Sequence, residues 1–148
     1  MKRVLVNECK TRFPALSRNE GFSRSAAAAF ALQCDPTVEE IAAVKTAVSE
    51  AVTNAIVHGY RDTNGMVEMV MRLYNDNTLY IQIKDQGSGI ADVEQAMQPM
   101  FTTAPAEEER SGLGFTVMES FMDKVKVHSA PGRGTNVIME KIIRGKTN

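Results

Sequence analysis

The stretch "GMVEMVMRLYNDNTLYIQIKD", Gly65 to Asp85, constrains the fold more than any other part of the chain. Two β-rich runs in which apolar residues recur at every second position flank "NDN" (Asn75 to Asn77), so they read as an antiparallel hairpin. Val67, Met69, Met71 and Leu73 face one side, and Leu79, Ile81 and Ile83 match them from the second strand. A sheet with one apolar face must bury it against another layer.

The remaining segments supply that layer and more strands. "KVKVHS" (Lys124 to Ser129) and "TNVIMEKII" (Thr135 to Ile143), separated by "APGRG", read as a second hairpin, and "RVLVNE" (Arg3 to Glu8) has strand character. "NEGFSRSAAAAFALQ" (Asn19 to Gln33) is Ala-rich and reads as a helix capped by Asn19. "DPTVEEIAAVKTAVSEAVTNAIVHGY" gives the clearest helix, from about Val38 to His58. Thr37 and Glu40 make a capping box, Pro36 fixes the approach of the chain, and Gly59 supplies a left-handed exit. "GLGFTVMESFM" (Gly112 to Met122) reads as a helix opened by glycines. The expected fold is α+β, a two-layer sandwich of a mostly antiparallel sheet with helices on one face.

Composition narrows the partners. With 148 residues, 43% of them hydrophobic, the chain fits one domain over 1–148 whose core needs no staples. Lys and Arg number 17 against 18 Asp and Glu, for a net charge of −1, so no global field draws the chain to nucleic acid or an anionic membrane. An anionic ligand has to be held locally. Cys9 and Cys34 lack the Cys/His spacing of a zinc site and read as free thiols. No run resembles a signal peptide or a membrane span, which leads to the expectation of a cytoplasmic protein.

On the long helix, Ile41, Val48, Val52, Ala55 and Ile56 cluster to one side. Glu50 lies roughly opposite, with Asn54 and His58 following at helical spacing. Ordinarily a Glu four residues before an Asn is only a solvated pair, but Ala43, Ala47, Ala51 and Val57 flank this side and make it suited to being covered. Asp85 ends a strand just before Gly87 and Gly89, where it either caps the following turn or meets a ligand approached closely by the backbone. In "SGLGF", Gly112 and Gly114 open a helix whose free N–H groups and dipole favour phosphate. Neither the P-loop nor the dinucleotide fingerprint is present. His58 reads as a cap or packed polar group, and His128, alternating with Lys124 and Lys126, as a solvent-face residue.

E-x-x-x-N on a helix, D-x-G-x-G after a strand, a polar loop, G-x-G opening a helix, and Gly134–Thr135 before a last strand occur here in that order. The series resembles the GHKL ATP-binding superfamily of DNA gyrase, MutL and histidine kinases, over about residues 37 to 143. "SEAVTNAIVHGY" and "QPMFTTAPAEEERSGLGFTVMESFMD" are more narrowly similar to the anti-sigma F factors of sporulation, which are serine protein kinases. The resemblance implies that Asp85 accepts from the adenine amino group, with Gly87, Gly89 and Thr135 around the base. It makes Asn54 a ligand of Mg²⁺ and Glu50 the general base. Phe101 to Ser111 becomes an ATP lid that brings Thr103, Arg110 and Ser111 to the nucleotide, with Arg110 at the terminal phosphates, and Gly112 and Gly114 offer N–H groups.

Within this superfamily a histidine kinase carries a helical hairpin and a gyrase-like ATPase a transducer domain. Neither is expected in 148 residues, so the acceptor is expected on another protein. By resemblance the partners are a sigma F-like RNA polymerase sigma factor, held inactive, and an anti-anti-sigma protein phosphorylated on a serine. Residues 1–36 would take part in partner binding, with Arg24 as a shared contact, and the chain would be a homodimer. Two alternatives stay open: a general stress-response anti-sigma kinase, and a nucleotide-gated sigma-binding module without catalysis. Retention of both Glu50 and Asn54 argues against the second.

Overall fold

In the computed structural model, which describes residues 2–59, 65–87, 89, 97 and 114–145, the hairpin forms as expected. Strand β2 (Met66–Tyr74) and strand β3 (Thr78–Asp85) pair antiparallel, Met69 opposite Ile83 and Met71 opposite Ile81. Their inward residues Val67, Met69, Met71, Leu73, Leu79, Ile81 and Ile83 are all buried. The second hairpin is β4 (Lys124–Ser129) with β5 (Thr135–Ile142), and β5 also pairs with β3. Strand β1 (Leu5–Pro14) completes an antiparallel sheet of order β1-β2-β3-β5-β4.

The edge strand β1 is longer than the Arg3 to Glu8 run that propensity alone marks. Its second half, through "KTRFP", is held by pairing with β2, Thr11 opposite Met69 and Phe13 opposite Val67, and Phe13 is buried. Tertiary pairing here overrides a weak local preference.

Three helices among the described residues cover one face: α1 (Asn19–Ala31), α2 (Val38–Asn54) and α3 (Gly114–Phe121). Helix α1 does not start as expected. Its N-cap is Arg18, without a side-chain hydrogen bond, and Asn19 is already helical. The Asn19 amide instead donates to the Pro14 carbonyl at 2.9 Å, tying the helix to the end of β1. At its far end the α-helix tightens into a 3₁₀ turn, Leu32–Cys34, closed by Asp35 in the left-handed conformation. Helix α2 ends four residues short of His58 and widens into a π turn, Ala55–Gly59, so the expected left-handed exit, Gly59, is the last residue of that turn.

The apolar side of α2 also differs from expectation. Ala43, Ala47 and Ala51, placed from the sequence beside Glu50 as a face suited to being covered, are covered as part of the core with Val44, Val48 and Val52, while Ile41 is only half-buried. Packing by α1 and α3 covers this face; small Ala side chains let helices approach closely.

The outer face of the sheet is polar. Arg72 on β2 pairs with Glu8 directly opposite on β1 at 2.6 Å and lies over the Tyr80 ring, and Arg12 pairs with Glu68. Lys124, Lys126 and His128 are exposed, as the alternation implied. Cys9 is exposed and Cys34 buried, and both are free. No helix among the described residues is long and apolar enough to cross a membrane.

Glu40 fastens the two layers at one end. It completes the capping box with Thr37, taking the Thr37 N–H at 2.9 Å while its own N–H meets Thr37 Oγ1 at 3.1 Å. The same carboxylate accepts the N–H groups of Arg144 at 2.7 Å and Gly145 at 3.1 Å. Burial alone would raise its pKa, but these backbone donors and the Thr37 hydroxyl outweigh burial and hold it below the usual carboxylate range. A depressed folded-state pKa contributes stability that is present above the unfolded value and lost as pH falls through the folded one. Glu40→Gln is therefore expected to lower stability near neutral pH by about 1–2 kcal/mol, the scale of a lost cap. Thermal melts should show the gap to wild type closing as pH drops below the ordinary Glu range; a gap constant down to acid pH would remove the charge from the explanation.

Candidate functional site

At one end of the sheet the inward-facing column of β3 stops being apolar. After Ile81 and Ile83 the next inward residue is Asp85, only 3% exposed. Its neighbour across β5 is Thr135, 4% exposed, and the register continues to Ser129 on β4. Val67 lies on its other side, on β2. Burial pushes the Asp85 carboxyl up, and the backbone N–H groups of Gly87 and Thr135 pull it part of the way back. Gly87 donates to Asp85 Oδ1 at 2.8 Å, so the carboxylate caps the turn that follows β3. The turn-cap reading of Asp85 therefore holds, and the residue is also a buried acid with no cation beside it among the described residues.

The surrounding backbone is fixed by two glycines. Gly89 has φ +77°, and a Cβ there would stand 1.9 Å from the Ala130 carbonyl oxygen. Gly134 has φ +78°, and its Cβ would stand 2.1 Å from the Asp85 carbonyl oxygen. Gly89 against Ala130, and Gly134 against Asp85, thus press together at a distance that only glycine permits. The structure brings Asp85, Gly87, Gly89 and Thr135 into one corner, as the sequence predicts.

A second group forms where α2 meets α3. Glu50 and Asn54 lie one turn apart on α2, both half-buried, and Asn54 is the last residue before the π turn, an irregularity frequent at functional sites. A Cβ on Gly114, the first residue of α3, would lie 3.3 Å from Glu50 Oε2. The Glu50 carboxylate therefore lies beside the start of α3, where the helix dipole favours negative charge. Thr103, Arg110, Ser111 and Gly112, with the rest of the expected lid, lie outside the described residues, as does the side chain of His58.

Arg24 sits elsewhere, on α1, with its side chain 41% exposed. It pairs with Glu20 one turn back at 2.9 Å and reaches Ser49 Oγ on α2 at 3.3 Å; the Ser49 hydroxyl also donates to Glu20. Sequence reasoning missed this Glu20–Arg24–Ser49 cluster, since only the i,i+4 half of it is local. It also passed over Ser129, although the hairpin register puts Ser129 opposite Thr135.

The chemistry of the corner suits an adenine nucleotide: a buried acid with no cation beside it among the described residues wants a neutral donor. The site also fits Mg²⁺ in the way that ion prefers, through one or two protein oxygens, phosphates and water, with Asn54 offering an amide oxygen. Among the described residues, no group of three or more His, Cys, Asp or Glu forms a separate metal cage.

Comparison with known proteins agrees with this geometry. Residues 13–141 match the family model described as a histidine kinase-like ATPase domain. An anti-sigma F factor from Thermoanaerobacter sp. is 53% identical over 138 residues, covering 93% of this chain and 95% of the relative. One from Clostridium acetobutylicum is 51% identical, with the same coverage. Among solved structures, the RsbU and RsbW domains of Rv1364c from Mycobacterium tuberculosis superpose with a TM-score of 0.63 at 17% identity, over 97% of this chain and 35% of that one. The mycobacterial sensor histidine kinase MprB gives 0.56 at 21% identity, over 72% and 74%. These structural likenesses speak to the fold, and the fold is that of GHKL-type kinase domains. The family match and the curated relatives together show that the chain belongs to the anti-sigma F factor family, built on a histidine kinase-like ATPase domain.

Proposed function

We propose that this chain is a cytoplasmic anti-sigma factor that holds a sigma F-like factor inactive during sporulation and phosphorylates a serine of its anti-anti-sigma antagonist. The observation that carries the nucleotide half is Asp85, a buried acid with no cation beside it among the described residues, at the end of a core strand next to Gly87 and Gly89. The likeness to the anti-sigma F factors supports the partner half. Residues 1–36 and α1 would face the partners, and two copies would associate as a homodimer.

In this reading Asp85, Gly87, Gly89 and Thr135 hold the base, and Asn54 holds Mg²⁺ through its amide oxygen. Gly112 and Gly114 offer backbone N–H groups to the phosphates, while Thr103, Arg110 and Ser111 approach from the lid. Bound ATP supplies the phosphoryl group, with ADP as the leaving group. Glu50 accepts the proton of the acceptor serine at a carboxylate oxygen, and α3 keeps that carboxylate in place. Helix α2 thus carries both the base and the metal ligand on one rigid element.

Three variants test this reading. Asp85→Asn removes the cost of burying a charge, so it should raise the melting temperature of the unliganded protein while steeply weakening ATP binding, because the new amide turns a donor toward a donor. The sign follows from linkage: a carboxyl raised on folding destabilises the folded state once pH exceeds its unfolded value. Unchanged ATP titration by this variant would leave Asp85 a turn cap only.

Glu50→Gln keeps shape and removes proton acceptance, so label transfer from ATP to the anti-anti-sigma protein should slow by roughly 10²–10⁴ while ATP and sigma binding persist. Transfer at the wild-type rate would exclude Glu50 as the base. A wild-type protein that binds sigma with ATP but transfers no label would favour the non-catalytic module.

Arg24→Glu, on an exposed cluster away from the base corner, should spare ATP binding and weaken both sigma and anti-anti-sigma binding by roughly several kcal/mol. Loss of only one partner in pull-down titrations would mean that the two do not share this residue.

A further inference from the structure

The inward row at the base corner reads Asp85, Thr135, Ser129 across β3, β5 and β4. Ser129 Oγ lies 2.8 Å from the carbonyl oxygen of Gly134 and 2.8 Å from Thr135 Oγ1. A serine hydroxyl has one proton, and a carbonyl oxygen can only accept. The Ser129 proton is therefore committed to Gly134. The contact between the two hydroxyls must then be made with the proton of Thr135, whose remaining capacity is two lone pairs.

The reference point for this chain of protons cannot drift. Gly134 is locked at φ +78° with its backbone against the Asp85 carbonyl, closer than any Cβ could come. Thr135 is itself buried in the same row. Asp85, when ionised, also only accepts. The corner thus presents acceptors side by side, and the matching ligand edge, met directly or through a water, is one that donates.

We infer that Ser129 is a positioning residue that fixes Thr135 as an acceptor and so makes the corner select a purine carrying an exocyclic amino group over one carrying an exocyclic oxygen. This rests on the nucleotide reading of the corner given above. Ser129 acts through Thr135 and need not touch the ligand. Without the Ser129 oxygen, the Thr135 proton is free to turn and donate to an exocyclic oxygen, and the selection weakens.

The test is equilibrium titration of the full chain with Mg²⁺ and either ATP or inosine triphosphate, which differs in having an oxygen and a ring N–H where adenine has an amino group and a bare ring nitrogen. Wild type should prefer ATP. In Ser129→Ala the ATP-to-inosine preference should fall by roughly 3- to 10-fold, the factor one ordinary hydrogen bond carries. Ser129→Thr, which restores the hydroxyl, should recover it. Should Ser129→Ala fail to fold, Thr135→Val provides the second arm: it removes the oriented acceptor and should flatten the same ratio. A wild-type ratio in folded Ser129→Ala, or in Thr135→Val, overturns the inference. If wild type binds neither nucleotide, or Asp85→Asn binds ATP as wild type does, the nucleotide reading fails first, and the inference with it.

Discussion

The central strand β3 sets the terms for everything around it. Bonded on both sides, by β2 and β5, it has no free edge, so each of its residues is assigned inward or outward without choice. Its inward column is Leu79, Ile81, Ile83 and then Asp85. Three apolar residues anchor the helical layer, and the fourth position, with no freedom to turn away, delivers a carboxylate into the same interior. A shift of pairing by one residue would send Asp85 to solvent and expose the apolar column together. The forces that hold the core therefore also hold the acid, and the core's register is the site's register.

What the sequence made legible follows from the range of each signal. Both hairpins, the Thr37–Glu40 box and the start of α2 are written in residues a few positions apart, and each appears where local chemistry predicts it. The Asp85 corner was legible only through the family resemblance, because Asp85 before two glycines reads equally as a turn cap, and its grouping with Thr135 is made by the pairing of β3 with β5. Features set by distant contacts were not legible: the second half of β1 exists through β2, the Asn19 amide bonds back to Pro14, and the Ala face of α2 is covered by other helices. The π turn after Asn54 also has no local signature.

Functional and structural demands separate cleanly along α2. Its buried side, Ala43, Ala47 and Ala51 with Val44, Val48 and Val52, packs against protein, while Glu50 and Asn54 sit half-buried beside it and Ser49 turns toward α1. Neighbouring residues on one helix thus meet the core, the candidate phosphate end and the cluster around Arg24. Ser49 is the chain neighbour of Glu50, and the Glu20–Arg24–Ser49 bonds hold α1 to α2 at that point.

The clasp at Glu40 fixes the first turn of α2 to the end of the sheet. That turn is pinned to residues 144 and 145, near the opposite end of the chain, while Glu50 lies about 15 Å further along the axis at the ordinary helical rise. Packing against α1 and α3 along the rest of its length makes the helix move as one body with that support. The placement of Glu50 and Asn54 is therefore tied through one rigid helix to an attachment at residues 144 and 145, at the far end of that helix.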